Sequence, residues 1–318
     1  MDSPNENLVP PTTPKLSWRS LQPADVVAIT TLAAICLEVD GGHLLGVTDT
    51  YIQEHYLPAL PGASIGAFMK DGQLIACAAV QPTHTAEEYR TPIVSQVHPA
   101  YRRRGLGTFL LKWCVAKAAK LLSECPPDRR RVLQITTESL TDAGAQLFER
   151  YGFTQQFVED VMRRDLRAPI PDVLLPSGIS LATWMPALAD QFFAVYQAAF
   201  QERPGYPGWS QEEWMAWLDT DDDDFQPEIS LLARHDDFPI GFVVCADRWV
   251  VQMGVRPDWR ERGIGSALLI EALRRFREAG WDHVLLDVNA NNPRAAGVYT
   301  RLMFERVGRR ARFVQVLT

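Results

Sequence analysis

The second half of the chain alternates apolar runs and polar turns in an order that predicts both strands and helices. An apolar stripe at helical spacing predicts a helix after Gly263. Asn292 and Pro293 have the residue types of an N-cap and a first helical position, so they predict the start of another helix. The other predicted helices cover 186–200 and 209–219, and the predicted strands cover 179–183, 228–233, 240–246, 249–255 and 284–288.

The first half repeats this order of elements. Its predicted strands cover 64–69, 74–80, 93–97 and 132–136, and its last predicted helix covers 141–151. Between the last two of these strands lies a helix whose buried face has i, i+3, i+4, i+7 and i+8 spacing. That face is formed by Leu106, Phe109, Leu110, Trp113 and Cys114. The shared order β-α-α-β-β-β-α-β-α-β predicts an α/β protein of two tandem domains, each with a mixed sheet flanked by helices.

A proline-rich segment separates the two halves. Residues 168–176 include Pro169, Pro171 and Pro176, which argue against a regular element there. We therefore predict an N-terminal domain over 15–167, a linker over 168–176 and a C-terminal domain over 177–318. Residues 1–14 are acidic and rich in proline, and they lack the basic start and apolar stretch of a signal peptide. We expect them to form a disordered lead-in.

The composition excludes several classes of protein. The chain has 318 residues, of which 47% are apolar, so it can build two packed cores. Its net charge of −7 argues against a nucleic-acid partner held by a broad basic face. It has no run of ~20 apolar residues that would span a membrane. The five cysteines lack metal-ligand spacing, and their odd number indicates reduced thiols. We therefore expect a cytoplasmic protein without a metal site.

One motif occurs in both halves, at an offset of 158 residues. Each copy has Val-x-Pro at the end of a strand, then Arg-x-x-Gly-x-Gly, then a helix. In this setting the loop N–H groups lack partners, the helix dipole adds partial positive charge, and the glycines let a ligand approach the backbone. The pattern predicts a diphosphate-binding loop. It has neither the Lys-Ser/Thr ending of a Walker loop nor the spacing of the dinucleotide fingerprint.

The candidate ligand-binding residues are the members of the two loops and the last residue of each preceding strand. In the second half they are Val255, Arg260, Glu261, Arg262, Gly263, Ile264, Gly265 and Ser266. In the first half they are Val97, Arg102, Arg103, Arg104, Gly105, Leu106, Gly107 and Thr108, which form a second possible site.

The second loop resembles the pyrophosphate loop of the acyl-CoA N-acyltransferases related to a yeast histone acetyltransferase, the GNAT superfamily. The likeness extends to that family's second signature, an asparagine and an alanine before a helix with an aromatic residue and a Gly-Phe ending. The matching positions are Asn292, Ala295, Tyr299 and Phe304, while Met303 stands at the place of the glycine. The resemblance implies that Asn292 and Ala295 help to bind the cofactor.

The first half matches the family less fully. It keeps the loop and the Gly-Phe ending at Gly152 and Phe153, but Phe148 stands at the place of the tyrosine and no asparagine matches Asn292. The tandem arrangement is similar to that of mycothiol synthase-like members of the family, whose C-terminal half is catalytic. The resemblance therefore implies a catalytic C-terminal domain and a degenerate N-terminal domain, which would hold acetyl-CoA structurally, shape the acceptor cleft, or do both.

The family resemblance also implies a mechanism. Acetyl-CoA would be the acyl-donor substrate, bound where two central parallel strands splay apart, here 249–255 and 284–288. A primary amine, on a small molecule or a peptide, would attack the thioester directly. The backbone N–H of Met253 would stabilise the oxyanion, Val255 would bind the pantetheine arm, and Tyr299 would protonate the departing thiolate.

The identity of the general base stays open at this point. The amine arrives mostly protonated at neutral pH, so a base has to accept its proton. Asp247 is one candidate and Asp287 on the neighbouring strand is another, each acting directly or through water. Relatives often have a glutamate in the middle of the first of these strands, and this chain has Trp249 in that neighbourhood.

Two other functions compete with this interpretation. The chain could be a non-catalytic protein that binds or senses acyl-CoA, but mere binding would not need the proton donor Tyr299. Both halves could catalyse, but Phe148 lacks a hydroxyl. A small amine, an aminoglycoside, an amino acid, a thiol-conjugate precursor and a protein terminus are all possible acceptors.

Two features near the predicted acceptor side have alternative roles. The acidic residues Asp219, Asp221, Asp222, Asp223 and Asp224 form either a solvated loop or a patch that attracts a cationic amine. Helical spacing favours core packing for Trp214 and Trp217, whereas an aromatic wall for the acceptor, joined by Trp209, is the alternative.

Overall fold

The computed structural model describes residues 8–11, 15–172, 175–202, 206, 208–218 and 225–317. The chain forms two compact units. The first contains Met1–Val161 together with Val307–Thr318, and the second contains Met162–Arg306. The predicted acidic run at 219–224 lies outside the described residues, as do 1–7 and 12–14 of the predicted lead-in.

The first unit has the predicted order of elements, with one additional short strand. Its elements are β1 (Ser17–Arg19), α1 (Val26–Asp40), α2 (Asp49–Tyr56), β2 (Ser64–Phe68), β3 (Leu74–Val80), β4 (Thr83–His84), β5 (Glu88–Val97), α3 (Leu106–Ser123), β6 (Arg130–Thr137), α4 (Asp142–Arg150) and β7 (Thr154–Asp165). The last four residues of β7 belong to the second unit.

The second unit repeats this order. Its elements are β8 (Ile179–Thr183), α5 (Ala189–Phe200), α6 (Gln211–Leu218), β9 (Leu231–His235), β10 (Phe238–Ala246), β11 (Trp249–Val255), α7 (Ile264–Glu278), β12 (His283–Asn289) and α8 (Pro293–Arg301). The chain then ends in β13 (Glu305–Leu317). The strand predicted from residue 228 begins later, because residues 226–230 form a hydrogen-bonded turn in which Ser230 N donates to Gln226 O.

Each unit has helices on both faces of its sheet. In the first unit, one hydrophobic cluster packs α3 against the sheet and another packs α1 and α2 against the opposite face. In the second unit, α7 covers one face, and α5 and α6 cover the other. This three-layer arrangement buries the apolar face of every long helix, which is what the amphipathic stripes predicted.

In the first unit, the central parallel strands part before they end. β5 and β6 pair from Glu88 with Arg130 to Ile93 with Ile135. Both strands then continue, β5 to Val97 and β6 to residue 137, without further pairing to each other. The predicted central splay is confirmed in this unit.

The second unit splays earlier along its strands. β11 and β12 pair only at Trp249 with Leu285 and at Val250 with Leu286. At the same level β10 pairs Cys245 with Val250 but Val244 with Gln252, so Val251 is the extra residue of a β-bulge. A bulge twists its strand locally and interrupts pairing. The bulge therefore coincides with the point at which β11 leaves β12.

The last strand lies in the first unit, although the predicted boundary assigned it to the C-terminal domain. β13 pairs antiparallel with β6, from Ala311 with Thr137 to Leu317 with Arg131. It lies between β6 and β7 in the strand order β1-β2-β3-β5-β6-β13-β7. The repeat predicted a final strand correctly but could not indicate its sheet, since strand pairing depends on partners far away in the sequence.

The described part of the lead-in contacts the first unit. Leu8 packs against the hydrophobic cluster of α3. The ideal Cβ position of Gly105 lies 3.8 Å from Pro11 Cγ. Residues 8–11 therefore rest beside the predicted phosphate loop.

We predict that Gly308→Ala strongly destabilises the first unit. A Cβ at this position would lie 2.0 Å from the backbone nitrogen of Gly42, and backbone atoms cannot move aside cheaply. The expected loss in the free energy of unfolding is about 3 kcal/mol or more. Denaturant unfolding measures it. Gly297→Ala in α8 is the matched control, because its Cβ would meet only Arg301 Nη1 at 3.5 Å. Equal stability of the two variants would contradict this placement of β13.

Candidate functional site

The splay of the second unit exposes two backbone donors. Arg256 N donates to Ile240 O at 2.9 Å, so this N–H points towards β10. Because N–H directions alternate along a strand, those of Val255 and Met253 point to the opposite edge of β11. That edge has parted from β12 after Val250. The structure therefore places both predicted backbone donors along the open edge.

The first unit has the same arrangement. His98 N donates to Ile75 O at 2.8 Å. The N–H groups of Val97 and Ser95 therefore point to the edge of β5 that has parted from β6. Val97 and Ser95 are the counterparts of Val255 and Met253.

The two loops have the same backbone conformation. Gly105 and Gly263 cap α3 and α7 with φ of 82° and 80°. Two residues earlier, Arg103 and Glu261 are also left-handed, with φ of 60° and 66°. Left-handed residues in such a turn direct successive N–H groups into a concavity that binds anions. Both loops are therefore built as predicted, including at two positions without glycine.

Both glycines of the second loop face open space. A Cβ on Gly265 would meet only Val255 Cγ2 at 3.7 Å, which is an ordinary contact, and a Cβ on Gly263 would meet nothing within 4 Å. The protein itself therefore does not require a missing side chain at Gly265. This open space fits a diphosphate that approaches the backbone closely.

The first arginine of each loop contacts the protein. Arg260 Nε lies 3.2 Å from Val255 O, and its Nη2 lies 3.2 Å from Ala199 O at the end of α5. Arg102 does the same in the first unit, where Nε donates to Val97 O at 3.0 Å and the two Nη atoms donate to Asp40 at the end of α1. The hydrogen bond to Asp40 raises the pKa of Arg102. Both arginines thus fix the loop to the strand end.

The third arginine of each loop stacks on an aromatic ring. Arg262 lies 4.8 Å from the ring centre of Trp259, and Arg104 lies 5.4 Å from that of Tyr101. Each also donates to a backbone carbonyl four residues earlier, at 3.0 Å and 3.3 Å. These contacts hold an exposed cation beside each loop.

Asn292 caps α8, as its residue type predicted. Its Oδ1 accepts from Ala295 N at 3.1 Å. In the first unit, Thr141 Oγ1 accepts from Gly144 N at 3.0 Å and caps α4 in the same way. Thr141 therefore fills the place for which no matching asparagine was found. The comparison of residue types missed it, although threonine is itself a capping residue.

Tyr299 and Phe148 occupy equivalent positions. Tyr299 is 8% exposed and Phe148 is 9% exposed. The backbone oxygen of Tyr299 accepts from Phe304 N, and that of Phe148 accepts from Phe153 N. Tyr299 belongs to the hydrophobic cluster of α7, against which Met253 and Val255 also pack. The structure therefore brings the predicted proton donor and both backbone donors into one region. The matching residue of the first unit has no hydroxyl.

The two candidate bases lie at different levels along the central strands. Asp247 lies in the turn before β11 and pairs with Arg248 at 3.2 Å. It lies beyond the paired end of β11, on the side away from the open edge at Met253 and Val255, and its role as a base stays a prediction. Asp287 directly follows Leu286, the last residue of β12 that pairs with β11. It therefore lies where the splay opens.

Gln252 lies on β11 beside the splay, and the sequence did not single it out. It precedes Met253, and its Oε1 accepts from Trp214 Nε1 at 2.9 Å. Trp214 is fully buried in the aromatic cluster of α5 and α6, while Trp209 and Trp217 are half-buried against it. The signal was a single polar residue inside the apolar run of β11. The predicted core role of Trp214 fits this burial.

A cavity of about 590 Å³ occupies the first unit. It extends from the loop at Gly105 to Tyr51 on α2, and it includes the edge residues of the splay. Two ion pairs lie around it: Arg102 donates to Asp40, and Arg310 Nε lies 2.9 Å from Glu138. Burial lowers the pKa of His43 to about 3, so this imidazole is neutral at pH 7.

The described residues add two findings on compartment and metals. None of the described helices combines the length and apolarity needed to cross a membrane. Among the described residues, no group of three histidine, cysteine or acidic side chains is arranged to hold a metal ion. All five cysteines are free thiols, and burial raises the pKa of Cys36 to about 11.

Parted parallel strands, an anion-binding loop after the first of them and a buried tyrosine on the following helix define an acyl-CoA-dependent acyltransferase. Comparison with protein families agrees. Residues 189–304 match the Acetyltransferase (GNAT) family, and residues 63–155 match the Acetyltransferase (GNAT) domain. The chain therefore belongs to the GNAT acetyltransferases as a tandem member. It is an N-acetyltransferase that uses acetyl-CoA as its acyl donor, as the resemblance implied.

Individual relatives support this membership. The mycothiol acetyltransferase of Frankia casuarinae is 33% identical over 232 residues, which cover 65% of this chain and 63% of that protein, or less than two thirds of its length. The mycothiol acetyltransferase of Parafrankia sp. is 27% identical over 328 residues, which cover 92% of this chain and 95% of that protein.

Two solved structures share the fold. The GCN5-related N-acetyltransferase from Sphaerobacter thermophilus has a TM-score of 0.72 and 25% identity, and the match covers 95% of both chains. A tandem GNAT protein from the clavulanic acid biosynthesis pathway has a TM-score of 0.62 at 17% identity, with 95% of this chain and 98% of that chain covered. The latter likeness concerns the fold alone.

We predict that Gly265→Ala weakens acetyl-CoA use without harming the fold. The added methyl group fits the protein, and alanine favours a helix over glycine by about 1 kcal/mol. It would occupy space that the diphosphate needs, so KM for acetyl-CoA should rise about tenfold or more, equivalent to about 1.4 kcal/mol. Steady-state kinetics and thermal unfolding measure the two effects.

Gly107→Ala is the matched control in the first loop. Its Cβ would meet Leu147 Cδ2 at 3.6 Å, so the steric situation is the same. KM should stay unchanged in this variant if the second loop holds the reacting acetyl-CoA. An unchanged KM in Gly265→Ala would count against the loop as a binding site.

Proposed function

We propose that the second unit catalyses transfer of the acetyl group from acetyl-CoA to the primary amine of a small acceptor. The observation that carries this proposal is the pair of equivalent buried positions on α8 and α4. Tyr299 has a hydroxyl that can give a proton to a departing thiolate, and Phe148 has none. The first unit therefore binds without turning over.

Three groups act on the reacting thioester in this proposal. The amine lone pair attacks the carbonyl carbon, and the oxygen that becomes negative accepts a hydrogen bond from Met253 N–H. One such donor lowers the barrier by about 3 kcal/mol in other acyl-transfer sites. The carbon–sulfur bond then breaks, and the thiolate takes a proton from Tyr299. The nitrogen loses its extra proton as the amide forms, and Tyr299 regains a proton from solvent. Val255 N–H holds the pantetheine arm beside the open edge.

The acceptor has to lose a proton, and Asp287 is the carboxylate that the geometry favours. Val284, Leu286 and Val288 belong to the cluster on the α7 face. The alternation of side chains along β12 therefore directs Asp287 to the other face, where α5 and α6 lie. Gln252 contacts Trp214 on this same face. The acceptor would enter here and give its proton to Asp287 directly or through water.

The first unit keeps a binding function. Its loop, strand edge and cavity of about 590 Å³ are all present. We infer that it holds an acyl-CoA structurally. A wholly non-catalytic chain is not favoured, since Tyr299 and the open edge of β11 form a complete site in the second unit.

The acceptor is proposed from the relatives. Several relatives are named mycothiol acetyltransferases, and the match to one of them covers 92% of this chain. We propose the deacetylated form of mycothiol as the acceptor, which is a thiol-conjugate precursor with an amine. A cytoplasmic location is part of this proposal and stays a prediction.

We predict that Tyr299→Phe lowers kcat by about 10²–10⁴-fold, because general acid catalysis contributes that much. KM for acetyl-CoA should stay within about twofold, since the ring that packs against Phe304 remains. Steady-state kinetics with detection of CoA release checks both. Tyr151→Phe in the first unit is the control and should keep the activity of the unmodified enzyme. Normal turnover by Tyr299→Phe would refute the assignment of the second unit.

The acceptor is tested by a screen with the same detection. Deacetylated mycothiol should give the highest kcat/KM among a set that includes a free amino acid, an aminoglycoside and a peptide with a free terminus. A higher value for any of the other three would overturn the acceptor while leaving the catalytic unit unaffected.

A further inference from the structure

An ion pair bridges the second loop and the next helix. Arg294 Nη2 lies 2.9 Å from Glu261 Oε1. Glu261 is the left-handed residue of the loop, and Arg294 is the second residue of α8. The loop at the start of α7 and the first turn of α8 therefore face each other at the distance of one ion pair.

This pair contributes little to stability. The side chains of Arg294 and Glu261 are 72% and 69% exposed, and such pairs contribute about 0–1 kcal/mol. Arg294 also lies at a helix N-terminus, where the dipole disfavours a cation. Glu261 places a carboxylate beside the loop that binds an anion. An anion between the loop and α8 would explain why an arginine stands at this position. In the structure, the carboxylate of Glu261 is that anion.

The first unit distributes the same charge differently. Arg103 has the position and backbone conformation of Glu261, with φ of 60° and 66°. Thr141 caps α4 and Asn292 caps α8. The second residue after each cap is Ala143 in the first unit and Arg294 in the second. Both units therefore keep one additional arginine at this gap. It lies on the loop in the first unit and on the helix in the second.

We propose that Arg294 is a phosphate-binding residue for acetyl-CoA in the second unit, and that it exchanges Glu261 for a phosphate when acetyl-CoA binds. This proposal rests on the proposed function of the second unit. The guanidinium group matches two phosphate oxygens at once, which a lysine or a backbone N–H cannot do. Glu261 competes with the phosphate for Arg294 and repels it, so it weakens binding of acetyl-CoA and of the product CoA.

The two members of the pair should therefore change affinity in opposite directions. Arg294→Ala should raise KM for acetyl-CoA at least tenfold. Glu261→Gln should lower it several-fold, because the competing charge is gone while the shape is kept. Titration calorimetry with CoA should show the same two directions, and the effect of Arg294→Ala should shrink at high salt. A pair that only stabilised the fold would shift both variants in the same direction.

One variant serves as a control. Arg274 pairs with Asp172 at 2.9 Å and is half-buried, and it lies eleven residues after Gly263, about 16 Å along α7. Arg274→Ala should leave KM unchanged.

A comparison of acetyl-CoA with its 3′-dephospho analogue identifies the phosphate. If the effect of Arg294→Ala is lost with the analogue, Arg294 binds the ribose 3′-phosphate. If it persists, Arg294 binds the diphosphate. Both results support the proposal, whereas an unchanged KM in Arg294→Ala overturns it. An effect of Gly265→Ala without one of Arg294→Ala would overturn this inference alone, and the loss of both effects would overturn the proposed site.

Discussion

The parting of two parallel strands is the constraint on which the rest of each unit depends. A sheet normally pairs every N–H between neighbouring strands, and a buried donor without a partner costs about 1–3 kcal/mol. In the second unit, the bulge at Val251 and the end of pairing at Val250 leave the far edge of β11 without a strand. A ligand with carbonyl and amide groups satisfies that edge. The binding surface is therefore an unfinished part of the sheet, and the loop, the capped helix and the buried tyrosine are all positioned relative to it.

An open edge needs another support, and the first arginine of the loop provides it. Arg260 and Arg102 each bind the carbonyl of the last strand residue and the end of the first helix of their unit. A guanidinium group suits this task because its donors point in fixed directions. The Arg-x-x-Gly-x-Gly motif therefore has two roles, one for its arginine and one for its backbone. The arginine fixes the loop to the strand, while the glycines and left-handed residues present the backbone to the ligand.

The sequence predicted the order of elements, both loops and the tandem fold, because these depend on local periodicity and on turn residues. It did not predict the sheet that takes β13, since pairing with β6 joins residues about half the chain apart in sequence. It named Asp247 and Asp287 as alternative bases, because the sequence does not show where β11 and β12 part. It did not single out Gln252, whose hydrogen bond with Trp214 joins β11 to a helix distant in the sequence. Misses of this kind arise where function depends on long-range packing rather than on residue type.

The two units also show why a duplicated acetyltransferase domain can lose chemistry before it loses binding. Binding is spread over many backbone groups, and no single side-chain change removes the splay, the left-handed loop and the helix N-terminus together. In the proposed function, proton transfer depends on one hydroxyl, which Phe148 lacks, while the ring of Phe148 still packs against Phe313. The arginine beside the loop tolerates more change than the hydroxyl does. It is Arg103 on the loop in the first unit and Arg294 on the helix in the second, and both positions border the gap between loop and helix. The first unit accordingly retains a cavity and a loop of the same design. Under the proposed function, a charge such as Glu261 in the second unit favours release of the product over tight binding.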